Sequence, residues 1–114
     1  MHSVAAALET TSGKVITAVN IDHFLGFVCA ETAALTIAIN QGEYKFKRVV
    51  AVRKNEGSNI KITNMCGKCR QIFFDYAPEI QVVTETKNVS INEMLPDPFV
   101  RQQQKIQDKV KSVQ

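Results

Sequence analysis

Apolar and polar positions along the chain follow two different periods. Residues 4–8 form a continuous apolar run, Thr10-Thr11-Ser12-Gly13 reads as a turn, and residues 14–20 are rich in β-branched side chains. Two strands joined by so short a turn predict an antiparallel hairpin. Residues 20–28 read as a loop carrying polar side chains at intervals. At residue 29 the period changes. Ala30, Ala33, Ala34, Ile37 and Ala38 recur at three- and four-residue spacings, which predicts a helix over 29–40 stopped by Asn40-Gln41-Gly42. The run at 48–53 suits an interior strand, and 66–76 suits a second helix ended by Ala77-Pro78. Strands are expected at 80–84 and 89–91, a helical turn at 92–96, and a polar, basic last helix over 102–113. The order β-β-α-β-α-β-β predicts an α/β fold, a three-layer α/β/α sandwich around a five-stranded mixed sheet. No repeat or linker interrupts the pattern, so residues 1–114 read as a single domain.

Composition narrows the function classes. Apolar residues make up 45% of the 114 and charged residues 22%, which excludes a disordered tail or a fibrous repeat. No apolar run approaches the ~20 residues of a membrane span, and no basic stretch leads into an apolar one at the start, so neither membrane insertion nor secretion is expected. The net charge of +3 resides in residues 101–114, which leaves the remainder balanced. A balanced body lacks the basic stripe of a nucleic-acid surface, and no nucleic-acid partner is expected.

The chemistry is concentrated in three cysteines. An odd number argues against a disulfide framework, and Cys66-Gly67-Lys68-Cys69 in a reducing, cytoplasmic setting points to metal binding or redox work. Cys29 opens the first expected helix, and Cys66 and Cys69 open the second. Helix starts carry free N–H groups and a positive partial charge, both of which favour thiolates. If the two helix starts converge, three sulfurs fill three corners of a zinc tetrahedron and leave the fourth for water, the arrangement of a catalytic site. Glu31 lies within reach of such a water as a proton carrier. Arg70 follows Cys69 and could donate to the sulfurs, offsetting the charge of about −1 that three thiolates leave around zinc. A structural zinc site with His23 as fourth ligand, and a thiol-disulfide pair of Cys66 and Cys69, remain open on spacing alone.

Cys29-Ala30-Glu31 followed by Cys66-Gly67-Lys68-Cys69-Arg70-Gln71 resembles the zinc-dependent cytidine deaminase superfamily. The likeness runs from Val4-Ala5-Ala6-Ala7-Leu8 through Val19-Asn20-Ile21 to Leu95-Pro96-Asp97-Pro98-Phe99. Three cysteines place it with the free-nucleoside branch, which includes blasticidin S deaminase-like proteins. The resemblance implies a cytidine deaminase-like fold and one Zn2+ per chain. It implies hydrolytic attack at C4 of a cytosine nucleoside, with Glu31 moving the protons and ammonia leaving. It further implies sugar contacts from Asn20 and Asp22, a base-covering role for Phe99 in a neighbouring subunit, and a homo-oligomer, tetramer or dimer. Blasticidin S is the alternative substrate. Met65 stands where the family commonly has Pro, and Asp22 where cytidine deaminases usually have Glu. Met1 falls almost on the first strand, so no counterpart of the family's usual N-terminal helix is expected within residues 1–114.

Overall fold

The computed structural model describes residues 3–54, 57 and 59–100. Strands β1 (Val4–Thr10) and β2 (Val15–Val19) form the expected hairpin, with Leu8 opposite Ile16 and Ala6 opposite Ala18. Residues 20–28 are not a plain loop. Ile21–His23 (β3) and Gly26–Val28 (β4) pair as a separate two-stranded ribbon about a two-residue turn. Helix α1 (Ala30–Asn40) follows, then β5 (Phe46–Lys54), the short β6 (Ile60–Ile62), helix α2 (Gly67–Tyr76), β7 (Gln81–Val83), β8 (Asn88–Ser90) and the single turn α3 (Ile91–Met94). The main sheet runs β2-β1-β5-β7-β8, with β6 added to the end of β5. Only β5 and β7 pair in parallel, as expected when a helix connects them. The sheet is therefore mixed, with β6 beyond the five strands foreseen.

Strand alternation decides where the helices sit. On one face lie Leu8, Ile16, Val49 and Val82. They share a buried cluster with Ala34, Leu35 and Ala38 of α1, Cys69 and Phe73 of α2, and Ile91 of α3. Fully burying a side chain such as Leu8 or Phe73 contributes roughly 1.5–3 kcal/mol, so this cluster anchors both long helices. Among the described residues every helix lies on this face. The last helix expected over 102–113 lies outside them.

Helix ends follow the local chemistry. α1 closes where Gly42 turns to φ +87, with its N–H on the Ile39 carbonyl and that of Glu43 on Ala38. Glycine carries this left-handed turn without steric cost. α2 closes at Tyr76, two residues before Pro78, whose ring disfavours helix in Ala77 ahead of it. Ser90 caps α3 by accepting from the Glu93 N–H, while the Glu93 carboxylate accepts from the Ser90 N–H.

Candidate active site

Both long helices begin at a cysteine. Cys29 precedes α1 and Cys66 precedes α2, each in extended backbone. Their Sγ atoms lie 3.5 Å apart. Cys69, one helical turn into α2, is fully buried and brings its sulfur to the same point, so all three sulfurs lie within 4.8 Å of one another. The convergence follows from packing. The two helices share one sheet face and one core, with Ala30 pressed on Ala6 and Ala51, and Met65 and Cys69 in the main cluster.

Three thiols this close cannot all ionise unaided. Burial raises the Cys29 thiol, and the adjoining Cys66 sulfur adds to that shift. Burial also pushes Cys69 well above the ordinary thiol range, while Thr32, whose Oγ1 lies 3.1 Å from its sulfur, works in the opposite direction. Cys66 moves down. Burial would raise it, but the Cys69 N–H, the neighbouring thiols and the Lys68 N–H together outweigh that. A divalent cation is the group that would ionise all three at once, and a trio of soft sulfurs in this spacing fits one.

No fourth His, Cys, Asp or Glu joins the sulfurs among the described residues. His23 is exposed on the β3–β4 ribbon. Its Nδ1 accepts from the Leu25 N–H at 3.0 Å, and its ring stacks on Phe24. Three protein donors and one open position is the pattern of a catalytic rather than a closed structural centre. A thiol-disulfide pair has no use for the third sulfur.

A cavity of about 320 Å³ opens beside the cysteines, lined by Cys29, Cys66, Glu31, Asn20, Asp22 and Arg53. Glu31 is only 5% exposed, and burial raises its carboxyl above the usual range, with its own backbone N–H partly offsetting the shift. Asn20 reaches this wall and also holds the fold. Its Oδ1 accepts from the Ser3 and Val4 N–H groups at 2.9 and 3.0 Å. Asp22 and Phe27 enter the wall from the ribbon. Lys68 secures that ribbon, with Nζ 5.1 Å from the Phe27 ring centroid and 3.5 Å from its carbonyl.

One expected contact, that of Arg70, is replaced by another. Arg70 was expected on the sulfurs, but its Nε donates to the Met65 carbonyl at 2.8 Å and Nη1 to that of Met94 at 3.0 Å. It braces the start of α2 against α3. The Met94 carbonyl closes α3 without an intrahelical partner and the Met65 carbonyl lies just ahead of α2, and the guanidinium satisfies both. Phe99 is 72% exposed and lies outside this chain's cavity wall. Gln71 fixes it there, accepting from the Phe99 N–H and donating to its carbonyl. Sequence reasoning missed Thr32, Gln71 and Arg53. For Thr32 a signal was present, since it lies one turn after Cys29 on the same helix face.

The chain is 34% identical over 110 residues to a blasticidin-S deaminase from Bacillus cereus, covering 88% of this chain and 79% of that one. This chain belongs to the cytidine deaminase superfamily. A probable cytidine deaminase from Dictyostelium discoideum is 31% identical over 105 residues, 84% of this chain and 67% of the other. Among solved structures, cytidine deaminase from Mycobacterium tuberculosis superposes with a TM-score of 0.76 at 23% identity, covering 88% of this chain and 80% of that one. No protein-family model matches the chain. The fold is thus cytidine deaminase-like, and no described helix is long and apolar enough to cross a membrane.

Proposed function

We infer that the chain is a hydrolase that converts a cytosine nucleoside, cytidine or deoxycytidine, to its uracil form with release of ammonia. The observation that carries this reading is the meeting of three sulfurs within 4.8 Å beside a buried Glu31 at one cavity. Cys29, Cys66 and Cys69 would hold one Zn2+. When bound, the ion supplies Lewis-acid activation of water. Glu31 accepts the proton of the attacking water on a carboxylate oxygen and delivers it to ring N3. It then carries the proton of the new C4 hydroxyl to the amino nitrogen on C4, leaving a carbonyl. The new C4–O bond replaces the C4–N bond, and the nitrogen departs as ammonia. Burial, which raises the Glu31 carboxyl above its usual range, favours its holding a proton between the two transfers. Asn20 and Asp22 face the sugar hydroxyls from the cavity wall.

Blasticidin S is a second reading for the substrate, favoured by the relative at 34% identity. A homo-oligomer, tetramer or dimer, is supported by the exposure of Phe24, Leu25 and Phe99. In such an assembly Phe99 closes a neighbouring chain's pocket. Residues 1–114 act as one domain. Three free thiols suit a reducing, cytoplasmic compartment, where nucleoside salvage would place the reaction.

The test is ammonia release from cytidine, deoxycytidine and blasticidin S, with zinc measured on the same sample. The reading expects about one zinc per chain and turnover of at least one compound. Stoichiometric zinc with no turnover would make this a zinc-stabilised domain without catalysis. A metal-free protein whose Cys66 and Cys69 cycle between thiol and disulfide would make it a redox module.

A further inference from the structure

Strand β5 breaks its own alternation at the end nearest the cavity. Its helix-facing side presents Val49 and Ala51, both buried. The next position on that side is Arg53, which is exposed and lines the cavity together with Cys29, Cys66 and Glu31. Directly opposite it on β6 is Lys61. Cross-strand partners in an antiparallel pair project to the same side, so Lys61 stands beside Arg53, and of the two Arg53 lines the cavity. Like charges in that position cost stability. Among the described residues neither cation has an ion pair or a hydrogen bond from its side chain. The same strand treats another arginine differently. Arg48 faces the other side of the sheet, where its Nε meets the Glu9 carboxylate at 2.6 Å. An unneutralised guanidinium at a cavity wall, where alternation calls for an apolar residue, is a local rule broken at a functional site.

We propose that Arg53, supported by Lys61, is the anion-recognition point of this site, and that the substrate is a cytosine nucleoside whose sugar carries a phosphate or a carboxylate. The proposal rests on the deaminase reading. The cytosine ring is neutral, so an anion delivered with it must belong to the sugar. A guanidinium suits either anion, because its fork donates two parallel hydrogen bonds to a pair of oxygens. Asp22 lines the same cavity and lies beyond ion-pair distance of Arg53. A carboxylate there accepts from hydroxyls and repels an anion, so the two residues together give the sugar a direction.

The test compares kcat/KM for cytidine, cytidine 5′-monophosphate and cytidine 5′-carboxylate in the zinc-loaded protein at fixed ionic strength. The proposal expects at least one anionic compound to exceed cytidine, and the larger of the two ratios identifies the anion. In Arg53→Gln that ratio falls by about tenfold or more, and Arg53→Lys keeps part of it. Lys61→Gln lowers it by about threefold, as befits a more exposed charge. Cytidine turned over in preference to both anions, or a ratio that Arg53→Gln leaves unchanged, overturns this proposal and leaves the deaminase reading standing. No turnover of any of these compounds or of blasticidin S by the zinc-loaded protein overturns both.

Discussion

The cysteine centre and the β3–β4 ribbon face the same cavity from opposite kinds of structure. The centre stands on two helix starts pinned to the main core, and Cys69 within it is wholly buried. The ribbon, residues 21–28, has no buried residue, and Lys68 ties it to the start of α2 through one cation–ring contact and one carbonyl. Geometry that must hold to a fraction of an ångström is carried by packed elements, while a surface ribbon can change its side chains without disturbing the core. On the function proposed above, metal binding and the sugar contact of Asp22 fall to parts of the molecule that can be altered separately.

Substitutions on the two sides should therefore differ in kind as well as size. Cys69→Ala has the largest expected effect, loss of bound zinc and of turnover, read by metal content and ammonia release. Stoichiometric zinc in that variant would remove the sulfur trio from the account. Glu31→Gln comes next. It should keep zinc and lower kcat by about 10²–10⁴-fold, the usual contribution of a positioned proton carrier. Asp22→Ala, on the ribbon, should raise KM by about tenfold and leave kcat within about twofold, as loss of substrate binding does. A fall in kcat as large as that of Glu31→Gln would erase the distinction between the regions. Lys68→Ala has the smallest effect on folding, about 0.5–1 kcal/mol for the lost cation–ring contact. Its signature is faster amide exchange confined to residues 21–28.

Glu31 also predicts a pH dependence of stability in the metal-free protein. Its folded pKa lies above the unfolded value, mainly through burial. The folded state then holds the proton more tightly. The stabilisation is complete below the ordinary carboxyl pKa and is lost as pH rises through the folded value. Thermal melts across that window should show a decline that Glu31→Gln flattens. An unchanged slope would mean that the carboxyl is not confined as described.

The two helices were legible because each carries its own punctuation. α1 has alanines at helical spacing and a glycine stop, and α2 ends before a proline. Cys29, Cys66 and Cys69 were legible because helix starts are where thiolates are favoured, and the structure brings them together. The β3–β4 ribbon was not legible. Ile21, Phe24, Leu25, Phe27 and Val28 are all exposed, so no buried face imposes a period on them. β6 escaped notice because three mostly exposed residues become a strand only through pairing with the end of β5. The partners of Arg70 depend on how α3 folds back beside α2, which adjacency to Cys69 could not reveal. Arg53 did leave a trace, as a charge at an inward-facing position of an apolar strand, but that trace has meaning only once the strand's neighbours are known.

The claim beneath all of this is that three cysteine sulfurs hold one zinc and leave its fourth position to solvent. X-ray absorption at the zinc edge of the purified protein tests it directly. The account predicts about three sulfurs near 2.3 Å and one oxygen near 2.0 Å. A fourth sulfur, a histidine nitrogen in place of the oxygen, or fewer than three sulfurs would contradict it.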